Sequence, residues 1–516
     1  MKTESEVHDR SAPENQEKVG AWVHPSLRMT EGLTFDDILV MPCKSKVLPK
    51  NTSTKTTLCP GIDLFAPFVS SPMDRVTETQ MTIAMGLFGG IGIFHRAMGN
   101  DRLIQAVRDV KRYMAGKILD PVTVHPAQDL ASVRSMNSPY TGFPVVQGEG
   151  GKDKLVGILT RRDMDGQPKD RQVSDVMTSK EKLVVAHQDI SLDDALNLVR
   201  KNKIEKLPLV DENDFLVGLV TRRDLDLRKN NPNATVDQEG RLRVGVAVGT
   251  KDYEVMVELV RDLIAVGVDL VCLDSAHGGH IQIVDALRLL KKTFPNLPVI
   301  AGNVADKESA LELLRAGADA LRSGFGSGSI CTTRIVSGCG VPQVTAIIEC
   351  REAVEEFKIE SGKHVPIISD GGASEPGHST KALAAGASAM MFGNLLAGTE
   401  EAPGDKITTP KGVFKEYRGM GSNAAMKEHG GDQYFKEGSG KLLAEGVTGR
   451  VRFKGKVRKQ LEKLLGGLKE GMGYNGASTI PILWRARLVR VTNAGLRESY
   501  PHHLADIEGQ ESFEEE

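Results

Sequence analysis

A chain of 516 residues is too long for one ordinary domain and sets an expectation of roughly two or three. Its 40% hydrophobic and 26% charged residues are those of a folded globular protein. With 66 basic against 68 acidic side chains, a net charge of −2, composition gives no basic track for nucleic acid and no acidic solvating tail.

Residues 1–27 are polar and aperiodic, and are expected to form a flexible leader. Charge stands at Lys2, Glu4 and Glu6 where a signal peptide needs an apolar run, and no stretch of about 18 apolar residues is present to span a membrane. Six cysteines, at positions 43, 59, 272, 331, 339 and 350, make neither a disulfide framework nor a zinc pattern. A reduced, cytoplasmic setting follows as the expectation. The C-terminal Glu514-Glu515-Glu516 is no peroxisomal address, and residues 501–516 read as a tail.

From Leu33 the pattern changes to short apolar runs bounded by Gly and Pro, among them Phe65–Val69 and Gly89–Phe94. Such runs suit strands buried on both faces of a parallel sheet, and 28–113 is read as the first part of a barrel. The middle of the chain then repeats itself. Leu155-Val156-Gly157-Ile158-Leu159-Thr160-Arg161-Arg162-Asp163 returns as Leu216-Val217-Gly218-Leu219-Val220-Thr221-Arg222-Arg223-Asp224, each copy after a strand centred on a proline, Pro144 or Pro208. This resembles a tandem pair of cystathionine-β-synthase (CBS, or Bateman) motifs, spanning 114–232 in units of about 114–174 and 175–232. The resemblance implies that Thr160, Asp163, Thr221 and Asp224 hold the ribose of a regulatory purine nucleotide; a repeat kept for packing alone is the alternative.

After residue 232 strand and helix alternate with short loops. Strands are expected at 268–274, 297–303, 320–324, 365–370 and 389–393, with helices near 281–293 and 307–316. Nearly every strand ends in Asp, Asn or Gly. That is the grammar of an α/β fold, a (β/α)8 TIM barrel with its chemistry at the C-terminal strand ends, completed by residues 233–500 and interrupted by the repeat pair.

The richest segment is Gly324–Arg334. A glycine-dense loop after a strand brings backbone N–H groups close to a phosphate, Ser329 adds a hydroxyl, and Cys331 at its tip meets an electropositive setting that favours thiolate. Asp274, Asn303 and Asp370-Gly371-Gly372 fall at neighbouring strand ends, so that phosphate, ribose and an electrophilic carbon would gather around one thiol. A second phosphate-like loop runs from Gly371 to His378, followed by Gly393-Asn394.

Gly328-Ser329-Ile330-Cys331-Thr332-Thr333-Arg334, Gly338-Cys339-Gly340-Val341-Pro342-Gln343, Asp370-Gly371-Gly372 and Tyr417-Arg418-Gly419-Met420-Gly421-Ser422 together resemble the IMP dehydrogenase/GMP reductase family, over about residues 28–500. The resemblance implies attack of Cys331 on purine C2 to give a thioimidate, with hydride passing between C2 and a nicotinamide. It implies nucleotide contacts at Ser71, Met73, Asn303, Ser329, Asp370 and Gly372, and further along at Gly393, Asn394, Tyr417, Gly419, Met420 and Gly421. Asp274, Ser275, Ala276, Gly324 and Gly326 fall to the cofactor, and main-chain carbonyls of Gly326, Gly328 and Cys331 to a potassium ion. Thr333 and Glu445 match a proton-handling pair used in both branches. The family's homotetramers and octamers carry over as an expectation, without membrane or nucleic acid.

The branches differ in how the thioimidate is resolved. A dehydrogenase hydrolyses it with an Arg-Tyr pair on a mobile flap; a reductase forms it by releasing ammonia from GMP and must keep water away. Here the flap reads His429-Gly430-Gly431-Asp432-Gln433-Tyr434-Phe435, with glutamine at the arginine position beside Tyr434. Glutamine has no titratable group and cannot serve as general base, a loss of roughly 10²–10⁴ in rate. Arg75, Arg96 and Asn394 are milder departures. The reading is therefore a GMP reductase using NADPH, with an NAD-dependent IMP dehydrogenase as alternative, favoured by chain length, the CBS pair and Asp274–Gly278. A catalytically weak nucleotide sensor is the third.

Overall fold

A computed structural model describes residues 29–136, 140–149, 152–429 and 443–502. The expected leader, nearly all of the tail, and the flap residues Gln433 and Tyr434 lie outside these residues. Eight parallel strands close into a barrel: β1 (Phe68–Ser70), β2 (Ile91–Phe94), β3 (Val244–Val248), β4 (Leu270–Leu273), β5 (Val299–Val304), β6 (Ala320–Ser323), β7 (Ile367–Asp370) and β8 (Ala389–Phe392), with β8 pairing back onto β1. Alternate side chains divide two cores between them. Val69, Ile91, Ile93, Ala247, Leu270 and Cys272 fill the barrel interior, while Phe94, Val246, Val271 and Leu273 face the helices outside. The hairpin Thr56–Cys59/Ile62–Leu64 sends Leu58, Cys59, Ile62 and Leu64 into the interior cluster.

The helices expected near 281–293 and 307–316 are Ile281–Thr293 and Lys307–Arg315, begun by His280 and by an Asp306 carboxylate that accepts from the Ser309 N–H. Two expectations shift. Phe65 lies outside β1 and is 44% exposed, because Pro67 has no N–H for the ladder and the strand starts only at Phe68. Gly89 is a left-handed helix cap (φ +99°), with β2 beginning at Ile91.

The third strand is the one least announced by the sequence. Val244–Val248 carries Gly245 and Ala247, and a Cβ on Gly245 would meet Leu270 Cδ1 at 2.6 Å, so a small residue there is a packing requirement.

Between β2 with its following helix (Asn100–Tyr113) and β3 stands the repeat region. Its two halves give two three-stranded sheets, Gly142–Glu149/Lys152–Thr160/Thr178–Ser179 and Leu216–Thr221/Lys206–Val210/Ala186–His187. They are interlaced: Ile118, before the first copy, pairs with Leu219 of the second. Beyond β8, the strands Ile407–Thr409, Gly412–Arg418 and Thr448–Arg452 form a separate sheet beside the C-terminal mouth of the barrel. No helix among the described residues is long and apolar enough to cross a membrane.

Candidate functional site

The C-terminal ends of the barrel strands surround a cleft of about 150 Å³. Ser71 and Met73 enter it from the turn after β1, Asp274, Ser275 and Ala276 from β4, and Asn303 from the end of β5. Gly324, Gly326, Gly328, Cys331 and Thr333 come from the loop after β6, Asp370 from β7, and Tyr417, Gly419, Met420 and Glu445 from the neighbouring sheet and its connections. Many of the residues expected at the site therefore line one concavity, while Ser329, Gly372, Gly393, Asn394 and Gly421 are not part of its lining.

Glycines shape the loop after β6 for definite reasons. Gly324 has φ +146°, and a Cβ there would lie 2.4 Å from the Asp370 carbonyl oxygen. Gly326 (φ +69°) and Gly340 flank the Arg334 stem, with hypothetical Cβ distances of 2.7 and 2.4 Å to its Cγ. Arg334 in turn donates from Nε to the Phe325 carbonyl at 3.0 Å and from Nη2 to that of Val341, tying both ends of the segment together. This is the physical link between the Cys331 loop and Gly338-Cys339-Gly340. Gln343 adds a second clamp, donating to the Ser323 carbonyl (2.9 Å) and to Ser369 Oγ (3.1 Å) at the ends of β6 and β7.

Cys331 sits at the start of a chain of two hydrogen bonds. Its thiol donates to Thr333 Oγ1 at 3.1 Å, and the Thr333 hydroxyl donates to Glu445 Oε2 at 2.8 Å. Glu445 is held by its own backbone: its N–H donates to the Gly421 carbonyl (3.0 Å), and its carbonyl accepts from Thr332 N–H (2.9 Å). Gly421 thus anchors Glu445 from outside the cleft lining. The other cysteines differ in kind: burial pushes the thiols of Cys272 and Cys350 up to about 12, as expected of inert core cysteines.

On the opposite wall a buried ion cluster stands out, with one member not singled out from the sequence. Arg322 is 7% exposed; it donates from Nη1 to Asp274 Oδ1 and from Nε to Asp370 Oδ2, both at 2.8 Å. Burial works against its charge, but Asp370, Cys272 and Asp274 outweigh burial and keep it firmly protonated. Asn303 Nδ2 donates to the same Asp370 Oδ2 at 2.9 Å. Asp274 Oδ2 is buried without a hydrogen-bond partner among the described residues, with Arg96 Nε 3.7 Å away. An acceptor left open in a cleft suits a ribose hydroxyl, so the residues present fit a nicotinamide nucleotide. The signal for Arg322 was available: a charged residue within a buried strand.

Ser329 and Gly372 follow the lining residues Gly328 and Gly371 in the chain, and Gly393 and Asn394 stand beside Tyr417 and Ser329. Asn394 Nδ2 donates to Ser329 Oγ at 3.2 Å, and a Cβ on Gly393 would stand 2.8 Å from Tyr417 Oη, so the loops after β6 and β8 meet Tyr417. Burial raises the Tyr417 phenol well above its ordinary value, against a hydrogen bond with Ser329. Gly372 follows β7 with φ +77°. Behind this wall Arg418, also buried, donates from Nε to Asp74 Oδ2 (2.7 Å) and from Nη2 to Glu428 Oε2 (2.5 Å). Among the described residues no group of three or more His, Cys, Asp or Glu side chains could hold a metal ion.

The repeat residues form two helix caps away from the cleft. Thr160 N–H and hydroxyl both donate to Asp163 Oδ2 at 2.7 Å, and the Thr221 hydroxyl donates to Asp224 Oδ2 at 2.5 Å. Asp224 is the more enclosed, 6% exposed, and burial pushes its carboxyl up to about 6.

Residues 32–502 match the family model described as "IMP dehydrogenase / GMP reductase domain". The inosine-5′-monophosphate dehydrogenase of Aquifex aeolicus is 47% identical over 484 residues, covering 92% of this chain and 96% of that protein. That of Helicobacter pylori is 45% identical over 480 residues, with 92% and 97% covered. Among solved structures, GMP reductase from Trypanosoma brucei in complex with guanosine 5′-monophosphate superposes with a TM-score of 0.84 at 36% identity, covering 94% of this chain and 100% of that one. The same enzyme in complex with guanosine 5′-triphosphate gives 0.75 at 33% identity, with 91% and 100% covered.

Proposed function

The chain belongs to the IMP dehydrogenase/GMP reductase family of nicotinamide-dependent oxidoreductases acting on purine nucleotides, and from that premise we propose that it is a GMP reductase. It would convert GMP, NADPH and two protons to IMP, NADP⁺ and ammonium. The observation that carries this choice is Gln433, where the family's hydrolytic arginine would stand beside Tyr434. Without a base on that side, a thioimidate is protected from water rather than delivered to it.

Cys331 attacks C2 of GMP after passing its proton through Thr333 toward Glu445, a path of two hydrogen bonds (3.1 and 2.8 Å). The same pair returns protons to the departing amine, which leaves as ammonia and produces the thioimidate. NADPH, when bound, supplies hydride to C2; rupture of the C–S bond then releases IMP and regenerates the thiolate. Asp370, braced by Asn303 and Arg322, serves as acceptor for the nucleotide ribose, and Asp274 for that of the cofactor. Ser329, Gly372, Gly393, Asn394 and Tyr417 take the 5′-phosphate.

A potassium ion on the carbonyls of Gly326, Gly328 and Cys331, a homotetramer or octamer, and a cytoplasmic setting belong to the same proposal. The Gly328 carbonyl already accepts from Cys331 N–H at 3.0 Å and keeps one lone pair for a cation. All six cysteines are free, which suits a reducing compartment. The repeat region 114–232 is proposed to bind regulatory purine nucleotides at Asp163 and Asp224.

IMP dehydrogenase is the second reading, favoured by relatives of that name at 45–47% identity. One experiment separates the two. Purified protein given GMP and NADPH should oxidise the cofactor with stoichiometric release of ammonia, and given IMP and NAD⁺ it should show at most a short burst. Sustained XMP formation without activity on GMP would establish the dehydrogenase instead.

A further inference from the structure

The donors assigned to the 5′-phosphate, Ser329, Gly372, Gly393, Asn394 and Tyr417, are all uncharged. A phosphate dianion held by neutral donors alone would lack a matching cation, and phosphate sites gain much of their strength from charge-assisted bonds. Behind the Gly393–Asn394 loop lies a lysine that no step above employs. Lys454 follows the strand Thr448–Arg452 and is anchored at its backbone, its N–H donating to the Gly398 carbonyl at 2.8 Å. Its stem passes Gly398, whose hypothetical Cβ would stand 3.4 Å from Lys454 Cγ, and its ammonium donates to the Asn394 carbonyl at 2.8 Å. Asn394 itself reaches across to Ser329 Oγ at 3.2 Å. One chain of contacts therefore runs from the ammonium through Asn394 to the loop that carries Cys331.

We infer that Lys454 is a positioning residue for the substrate phosphate, holding Asn394 in place and supplying positive charge behind a site of neutral donors. The inference rests on reading this site as a nucleoside monophosphate site, which both branches of the family share. Burial supports it, pushing the Lys454 ammonium down to about 8 with no contribution from a carboxylate among the described residues. A lysine kept for folding would be expected beside an acid, as Lys111 is beside Asp269 at 2.6 Å. Lys454 has no acidic partner among the described residues, and an incoming phosphate would provide one.

The test compares the wild-type protein with Lys454→Met, Lys454→Gln and Lys454→Arg in three measurements. These are GMP and IMP affinity by calorimetry, KM and kcat, and the melting temperature without nucleotide. Loss of a charge-assisted contact should weaken GMP and IMP binding roughly tenfold or more in the Met and Gln variants, with kcat nearly unchanged and Arg restoring most of the loss. The melting temperature should hold or rise, because the ammonium has no counter-charge to lose among the described residues. Affinities within twofold of wild type, or a fall in kcat at constant KM, would overturn the inference. So would neutral variants that unfold or melt several degrees lower, since the lysine would then serve the fold. If wild-type protein bound neither GMP nor IMP, the nucleotide reading itself would fall; unchanged binding in the variants alone would remove only Lys454.

Discussion

Replacing Arg322 by Met should cost far more than one surface ion pair, and the structure indicates where the loss falls. Arg322, Asp274 and Asp370 have side-chain exposures of 8%, 2% and 14%. Stranding a buried charge by deleting its partner costs about 3–5 kcal/mol, or roughly two to three and a half powers of ten in an equilibrium constant. The two carboxylates do not share this equally. Asp370 keeps Asn303 Nδ2 at 2.9 Å, whereas among the described residues Asp274 keeps only Arg96 at 3.7 Å and is the more deeply buried. Asp274 should therefore take up a proton or swing away, and Arg322→Met should raise KM for the nicotinamide cofactor more than KM for GMP. Combining it with Asp274→Asn removes the stranded charge, so the double variant should recover at least about 1 kcal/mol relative to additivity. Initial rates over a grid of both substrates, for wild type, the two single variants and the double variant, give both KM values for each protein. Additive effects within about 0.5 kcal/mol, or a GMP KM that suffers more than the cofactor KM, would refute the assignment of Arg322 as the brace of Asp274.

Cys331→Ala should abolish turnover with GMP while leaving circular dichroism and melting unchanged; more than about a tenth of wild-type rate would remove covalent catalysis. Gly324→Ala places a Cβ 2.4 Å from the Asp370 carbonyl at φ +146°, and should cut kcat/KM by roughly 100-fold and stability by about 1–3 kcal/mol, read by rates and urea titration. Gln433→Arg should raise steady-state XMP formation from IMP by restoring a candidate base, and an unchanged rate would show that the position does not control hydrolysis. Asp224 has a folded pKa of about 6 against an ordinary 3.8, so its folded state binds the proton more tightly. Its stabilising contribution is present below about pH 4 and is lost as pH rises to about 6, at most about 3 kcal/mol. Asp224→Asn should accordingly raise the melting temperature at pH 7.5 and leave it unchanged at pH 4; the reverse ordering would show that the carboxylate is stabilised as an anion.

What the sequence makes legible here depends on which forces leave a local trace. Barrel strands such as Leu270–Leu273 are buried on both faces and therefore read as unbroken apolar runs, and Asp274 or Asp370 marks their ends because polar groups there face the cleft. Val244–Val248 leaves a weaker trace, since Gly245 is dictated by Leu270 of the adjacent strand. Cys331 and Thr333 are two residues apart in one loop, but Glu445 lies 112 residues beyond Thr333 and joins them through a hydrogen bond that no spacing encodes; the family motifs, not periodicity, bring Glu445 into view. Arg322 and Lys454 are hidden for another reason. Each owes its role to partners on other strands or loops, Asp274 and Asp370 for one and the Asn394 carbonyl for the other.

The same distinction bears on which reaction the chain performs. On the proposed mechanism, the thiol, its hydrogen-bonded Thr333–Glu445 pair and the braced carboxylates would serve formation of a purine thioimidate, a step that reductase and dehydrogenase would share. Identity over 480 residues mostly measures that shared apparatus and the barrel that holds it. Partition of the intermediate is decided by whether a base meets water at the exposed face, which a single side chain can supply or withhold at 3–5 kcal/mol of barrier. Similarity at 47% to dehydrogenases and a glutamine at position 433 are therefore compatible observations under the proposed reaction, in which the first would bear on how the intermediate is made and the second on how it is resolved.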